Sequence, residues 1–110
     1  MTVRVSRKAV REATLIAAEL GAADSRLADD FLRRLEEAWR LLAWWPELGR
    51  RRRFRDPRPA GLRSWPLRRF RNPLIFYRVV SNTVEIAGVI HGARDLARAL
   101  REEAAGRTPS

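Results

Sequence analysis

The 110-residue chain contains no cysteine and only one histidine, His91. Without cysteine there can be no disulfide scaffold and no cysteine-ligated zinc or iron–sulfur site. One histidine by itself makes a poor metal site, so we expect neither a metal nor a cofactor. The lack of cysteine is also compatible with a reducing cytosol.

Long hydrophobic segments are missing as well. The longest apolar run lies around Val84–Ile90, far short of the about 20 residues that a membrane-spanning helix needs. Residues 1–8 carry charge, but no apolar stretch follows them as it would in a secretory signal. We therefore expect a cytoplasmic protein with no membrane partner. Its length predicts a single domain over residues 1–103 and a loose tail over 104–110.

Positive charge, by contrast, is abundant and unevenly distributed. The formal net charge is +10, and 22 of the 23 cationic residues are arginine. Residues 50–71 hold ten arginines and one acid, Asp56, so this short segment carries nearly all of the excess. A G+C-rich genome would favour arginine over lysine, but it would not cluster the arginines. The clustering predicts a surface for nucleic acid, an anionic membrane or an acidic protein, with a merely solvated face as the alternative.

The first part of the chain predicts a strand followed by a helix. Val3 and Val5 alternate with polar residues, and Ser6 is a suitable helix N-cap. Helical periodicity then extends over Arg7–Leu20, with Gly21 at the position of a C-cap. The predicted core positions of this helix are Val10, Ala13, Ala17 and Leu20.

A second helix follows closely. Asp24 or Ser25 can cap it, and Pro46 ends it. Its apolar positions are Ala28, Phe31, Leu35, Ala38, Leu42 and Trp45. Two amphipathic helices with a short connection predict an antiparallel helical hairpin that buries its apolar stripes against another layer.

The second half of the chain predicts a Pro/Arg-rich loop over residues 50–61 and then three strands. Residues 62–70 form the weakest of these, an edge or bulged strand, because Pro66 cannot donate a ladder hydrogen bond. Residues 74–80 and 83–91 are rich in branched and aromatic residues and predict a hairpin with a two-residue turn. Residues 94–103 predict a short terminal helix.

The register of that hairpin can be tested for consistency. A turn at Ser81-Asn82 places Arg78 opposite Glu85 and Phe76 opposite Ala87. One face of the hairpin is then almost wholly apolar, as expected for strands that helices cover on one side. That face consists of Ile75, Tyr77, Val79, Val84, Ile86, Gly88 and Ile90.

The order of these segments resembles the RelE/ParE superfamily of type II toxin–antitoxin toxins, and most closely its ParE side. The resemblance runs from about Val3 to Leu100. The residues that carry it are Trp45-Pro46-Glu47-Leu48-Gly49-Arg50, Gly61-Leu62-Arg63-Ser64-Trp65-Pro66-Leu67, Leu74-Ile75-Phe76-Tyr77-Arg78-Val79 and Val84-Glu85-Ile86-Ala87-Gly88-Val89-Ile90-His91-Gly92-Ala93-Arg94-Asp95. The resemblance implies an α+β fold with an N-terminal strand, a two-helix hairpin packed on a twisted antiparallel sheet, and a short C-terminal helix.

The same resemblance implies two alternative activities. ParE-like toxins poison DNA gyrase and block replication, whereas RelE-like toxins cleave mRNA on the ribosome. Both kinds are silenced by an antitoxin whose C-terminal segment wraps the toxin, so the implied state is a hetero-oligomeric toxin–antitoxin complex.

The residues argue against RNA cleavage. Arg63 and Arg94 match the positions of catalytic arginines in RelE-type nucleases, but arginine stays protonated and is a poor proton shuttle. The candidate proton carriers Tyr77 and His91 lie on opposite faces of the predicted hairpin, about 17 Å apart along it. Residues 96–110 contain neither tyrosine nor histidine. We therefore expect Tyr77 in the core or at its rim, His91 in a structural hydrogen bond, and no catalytic residues.

The predicted function is that of a ParE-like toxin that acts by binding protein, with an antitoxin and DNA gyrase, possibly together with DNA, as partners. An apolar groove beside the helical hairpin is expected to receive the antitoxin. One of Trp44 and Trp45 is expected to be exposed, because adjacent helical residues cannot both face inward. The alternatives are a ribosome-dependent mRNA endonuclease, or a basic nucleic-acid-binding module or inactive relic. The predicted binding residues are Arg50, Arg51, Arg52, Arg53, Arg55, Arg63, Arg68, Arg69, Arg71 and Arg94.

Overall fold

The computed structural model describes residues 1–52, 61–70 and 73–91. These residues form two helices and five strands. In chain order the elements are β1 (Thr2–Val5), α1 (Arg7–Ala23), α2 (Ser25–Trp44), β2 (Arg50–Arg51), β3 (Arg63–Pro66), β4 (Leu74–Val80) and β5 (Thr83–Ile90). The predicted terminal helix and tail, at residues 94–103 and 104–110, lie outside the described residues.

The five strands form one sheet in the order β1-β5-β4-β3-β2. The α+β fold is therefore confirmed. Four of the strands follow one another antiparallel, but β1 lies parallel to β5, with Thr2 opposite Thr83 and Val5 opposite Ile86. The sheet is mixed because no tight turn connects β1 to β5. The two strands are separated in the chain by the helical hairpin and by β2, β3 and β4, and this long connection permits parallel pairing.

Side-chain caps fix both helices. The Ser6 hydroxyl accepts a hydrogen bond from the Ala9 amide and donates one to the Ala87 carbonyl, which ties the start of α1 to β5. Asp24 ends α1 and begins α2, where its carboxylate accepts from the Arg26 amide. The prediction that Gly21 is a C-cap is wrong. Gly21 lies inside α1, which ends at Ala23, and a Cβ on it would make an ordinary contact with Ala28 Cβ at 3.4 Å.

The core stripe of α1 differs from the predicted one at Val10, which is half exposed. Ala13 is buried as predicted, Ala17 and Leu20 are partly buried and pack against the core, and Ala9 and Ile16 are also buried. Both sets have helical spacing, so periodicity alone could not choose between them. In α2 the predicted positions Phe31, Leu35, Ala38 and Leu42 are all buried, but Trp45 is exposed. Trp45 follows the last helical residue, and its backbone has left the helical conformation that would have continued the stripe.

The strand predicted over residues 62–70 is shorter and not at the edge. It occupies Arg63–Pro66 and lies between β4 and β2, since Arg50 and Arg51 pair with Ser64 and Arg63. The segment predicted as a loop over residues 50–61 therefore begins with a strand. Pro66 is tolerated because it is the last residue of β3 and pairs only with Leu74 of β4.

The hairpin register is confirmed near its turn and wrong beyond Tyr77. Arg78 faces Glu85 as predicted, but an irregularity between Phe76 and Tyr77 places Phe76 opposite Gly88. The Val89 amide next to this β-bulge donates to the Glu12 carboxylate of α1 at 3.1 Å. A Cβ on Gly88 would lie 2.9 Å from that carboxylate, so glycine suits this close approach.

The bulge changes which residues share a face. Val89, rather than Gly88 or Ile90, joins the main core between the helices and the sheet. Ile90 belongs to a second apolar cluster on the opposite face, with Leu62, Phe76 and Ala87. His91 also changes side: its Nδ1 lies 3.8 Å from Glu19 of α1, so the prediction that it faces away from the apolar side is wrong.

A charged row crosses the face that lies away from the helices. Glu85 accepts hydrogen bonds from Arg78 at 2.8 and 3.1 Å and from Arg4 on β1. Burial by itself raises the pKa of the Glu85 carboxyl, but the hydrogen bonds and charges of Arg4 and Arg78 outweigh burial and lower it. The ionised carboxylate therefore joins three strands, β1, β5 and β4.

We expect Glu85→Gln to destabilise the protein by about 1–3 kcal/mol at neutral pH. A lowered carboxyl pKa contributes stability that is fully present above the unfolded-state pKa of about 4.3 and is lost as the pH falls through the folded-state pKa. The difference in unfolding free energy between wild type and variant should therefore shrink between about pH 5 and pH 3. Urea unfolding at several pH values measures it, with the exposed Glu36→Gln as control. A difference that does not change with pH would contradict the assignment.

Candidate docking surface

The arginines that are adjacent in sequence separate into two groups in space. Arg50, Arg51, Arg52 and Arg63 lie at the β2 edge of the sheet, whereas Arg68 and Arg69 follow the other end of β3. The remaining predicted binding residues lie outside the described residues: Arg53, Arg55, Arg71 and Arg94. The charge cluster is thus not one uniform patch among the residues described.

Within the edge group, two arginines have structural contacts and two face solvent. Arg52 Nε donates to Ser64 Oγ at 2.7 Å, and burial together with the charge of Arg50 lowers the pKa of Arg52. Arg63 Nη1 donates to the carbonyls of Glu47 and Gly49 at 3.1 and 2.8 Å. Arg50 and Arg51 are exposed and form no ion pair with any residue that the structure describes. Among the described residues, Arg50 and Arg51 are therefore the cations of this group without an acidic partner.

A buried phenol holds the turn that Arg63 contacts. The Tyr77 side chain is fully buried; its hydroxyl donates to the Pro46 carbonyl and accepts from the Gly49 amide, both at 2.7 Å. Burial raises the pKa of Tyr77, more than the Gly49 N–H and the Arg63 charge lower it. A Cβ on Gly49 would lie 2.4 Å from the phenol oxygen, so only glycine fits this position. Tyr77 and Arg63 together fix residues 46–49 to the sheet.

This turn presents two tryptophans. Trp44 is 81% exposed and Trp45 is 64% exposed, and Leu48 beside them is exposed as well. Both indoles face outward because α2 ends between them: Trp44 lies on the solvent side of the helix and Trp45 turns away from it. We call residues 44–49 the tryptophan turn. Sequence reasoning expected only one of the two rings to be exposed.

The second arginine group lies at a strained corner after β3. Arg69 and Phe70 have φ angles of 81° and 56°, in the left-handed region that non-glycine residues seldom adopt. Arg69 pairs with Asp30 of α2 at 3.2 Å, and the Phe70 ring makes an edge contact with Phe31. Arg68 is exposed and forms no ion pair with a residue of the described ranges. Arg69 thus anchors the corner to α2, whereas Arg68 is available to a partner.

An apolar groove of about 350 Å³ lies between α2 and the β3 end of the sheet. Its apolar lining is formed by Ala38, Leu41, Trp65, Pro66 and Leu67, with Arg34, Glu37 and Arg68 at the same site. Arg34 is partly engaged by Asp30, whereas Arg68 is not. The groove therefore combines an apolar floor with a net positive rim.

The candidate proton carriers are not assembled into a site. Tyr77 pairs with Ile86, five residues before His91, and its phenol is occupied by the tryptophan turn. His91 Nε2 lies 2.6 Å from the Phe70 carbonyl, in the structural hydrogen bond expected for it. Within residues 1–52, 61–70 and 73–91, no three metal-ligating side chains come together, and neither helix is long and apolar enough to cross a membrane.

Comparison with known proteins agrees with this architecture. The family model for the ParE toxin of type II toxin–antitoxin systems, parDE, matches residues 3–96. The chain belongs to the ParE toxin family. The match covers the helical hairpin, the tryptophan turn and, apart from Thr2, the described sheet.

Solved structures extend the comparison to the fold. A chain from the chromosomal ParDE toxin–antitoxin system of P. aeruginosa superposes with a TM-score of 0.57. The two sequences are 17% identical, and the alignment covers 83% of this chain and 95% of that chain. At this identity the likeness establishes a common ParE fold. No curated protein matches the chain.

We expect Tyr77→Phe to lower the unfolding free energy of this ParE-family protein by about 1–3 kcal/mol. The substitution keeps the ring but removes a donor and an acceptor, which leaves the Pro46 carbonyl and the Gly49 amide without their partner. Denaturant unfolding measures the loss. Trp44→Ala serves as the control and should change stability by no more than about 0.5 kcal/mol, because that side chain is exposed. Equal stability of Tyr77→Phe and wild type would show that the phenol does not hold the turn.

Proposed function

We propose that this chain is the toxin of a type II toxin–antitoxin system, that it inhibits DNA gyrase by binding protein, and that a cognate antitoxin neutralises it. The observation that carries the proposal is the ParE family match over residues 3–96. Gyrase as the target follows from the character of that family. The antitoxin follows from the type II system to which the family belongs.

The contacts of the candidate catalytic groups support binding rather than cleavage. A nuclease of the RelE type needs cations on the phosphate and accessible groups that move protons. Here the Tyr77 phenol is buried, and its hydroxyl both donates and accepts a hydrogen bond with the tryptophan turn. Arg63, which matches a catalytic arginine of the nucleases, donates to two backbone carbonyls of the same turn. Both residues therefore stabilise the turn.

The groove between α2 and β3 supports an antitoxin partner. An amphipathic helix binds by placing its apolar face in such a groove, and acidic residues at its flank would meet the free guanidinium of Arg68. Leu41 is 39% exposed and lines the groove, so it is a direct contact for such a helix. We therefore assign antitoxin docking to the groove.

Gyrase inhibition can be tested in vitro and in cells. Purified chain should block supercoiling of relaxed plasmid by gyrase, and adding the cognate antitoxin should restore it. Induced expression should arrest replication before it affects translation. Normal supercoiling together with rapid cleavage of ribosome-bound mRNA would contradict the proposal and favour the endonuclease alternative.

Leu41→Glu tests the antitoxin groove. A buried, unpaired carboxylate in the contact should weaken antitoxin binding at least tenfold, as measured by calorimetry or by the antitoxin needed to restore gyrase activity. Leu32→Glu is the matched control, because Leu32 lies on the same helix, is 43% exposed and does not line the groove. Equal weakening by the two variants would place the antitoxin elsewhere.

A further inference from the structure

The tryptophan turn leads directly into β2, and the proposed antitoxin groove is lined by neither of them. The turn lies on the helix side of the sheet, because its Pro46 and Gly49 backbone groups contact Tyr77. Arg51 pairs with Arg63, which pairs with Tyr77, so the Arg51 side chain belongs to the same face. Arg50, the next residue, belongs to the opposite face. Arg51 therefore lies on the same side of the sheet as the tryptophan turn, and Arg50 lies on the other side of the same edge.

The tryptophans and the β2 arginines are separated by only a few residues of the chain. Trp45 and Arg50 are five residues apart, which limits their Cα separation to about 18 Å even for an extended chain. The actual path is shorter, because the Leu48 amide bonds back to the Trp45 carbonyl at 3.1 Å in a turn. Glu47 is the acidic residue within this turn.

The backbone of the turn is held by contacts within the chain. Four hydrogen bonds with Tyr77 and Arg63 fix it at Pro46, Glu47 and Gly49. A ligand that contacts the indoles therefore does not have to order this backbone. These hydrogen bonds join the backbone of the turn to Tyr77 and Arg63, and none of them involves the indole rings.

From these observations we infer that the tryptophan turn and the β2 edge bind single-stranded nucleic acid. Exposed aromatic rings beside a cationic track are the elements by which proteins hold unpaired bases: the rings stack on the bases and the cations meet the phosphates. Charge favours this ligand over a protein surface, since Arg50 and Arg51 lack acidic partners among the described residues and the chain carries +10. The inference does not require gyrase to be the target.

The test is binding of a fluorescently labelled ten-nucleotide oligothymidylate to the purified full-length chain, followed by anisotropy at several salt concentrations. Trp44→Ala and Trp45→Ala should each weaken binding about tenfold at constant salt, with little change in the salt dependence. The double variant Arg50→Gln/Arg51→Gln should instead reduce the slope of log affinity against log salt by about 1.4. Stacking and phosphate contact are thereby measured separately.

Controls distinguish this surface from general attraction to a basic protein. An abasic oligomer of the same length and charge should bind at least tenfold more weakly than oligothymidylate, and so should a duplex of that length, whose bases are already stacked. Leu15→Ala and Arg11→Gln, two exposed positions on α1, should leave oligonucleotide binding essentially unchanged.

Three results would overturn the inference. The first is equal affinity of wild type and the two tryptophan variants for oligothymidylate. The second is equal affinity for the abasic and the normal oligomer, which would reduce the interaction to charge alone. The third is a loss of gyrase inhibition in the tryptophan variants while oligonucleotide binding is unchanged, which would make the turn a protein contact. Because oligonucleotide binding is measured without gyrase, its failure is separate from failure of the proposed function.

Discussion

The tryptophan turn depends on the hydrogen bonds of the buried Tyr77 phenol. Its hydroxyl bridges the Pro46 carbonyl and the Gly49 amide, and Arg63 reinforces the same turn through two more hydrogen bonds. Buried polar groups are costly unless they are paired, so a fully satisfied network of this kind selects one conformation of the turn. The end of α2, the two exposed tryptophans and the start of β2 are positioned by that one choice.

Arginine has several different roles in this fold, although the sequence presents the arginines as one cluster. Arg63 and Arg52 donate to neighbouring backbone and side-chain oxygens, and Arg69 anchors a strained corner to Asp30. Arg50, Arg51 and Arg68 form no ion pair with another residue of the described ranges. The planar guanidinium, with five donors, suits both uses. The cationic surface that the sequence predicts is therefore reduced in the structure, because Arg52, Arg63 and Arg69 bond to groups within the protein.

Much of the fold was predictable from local signals. The caps Ser6 and Asp24, the apolar stripe of α2 and the pairing of Arg78 with Glu85 each depend on neighbouring residues or on a short turn, and the structure confirms them. The errors in the faces of the hairpin came from a contact between distant elements. Glu12 of α1 accommodates the bulge in β5, and this shifts Val89, Ile90 and His91 to the faces opposite those predicted. A strand pattern with period two contains no information about an extra residue.

The sequence by itself determined the class of the fold, the absence of cysteine-based chemistry, the concentration of positive charge and the resemblance to ParE toxins, because these follow from composition, periodicity and the order of segments. Only the tertiary structure decided which arginines pair with other described residues, that both Trp44 and Trp45 are exposed, and which backbone groups the Tyr77 phenol contacts. Each of these depends on which atoms meet across the sheet. The Tyr77 phenol and the Gly49 amide are 28 residues apart in sequence and 2.7 Å apart in space, a contact that folding alone brings about.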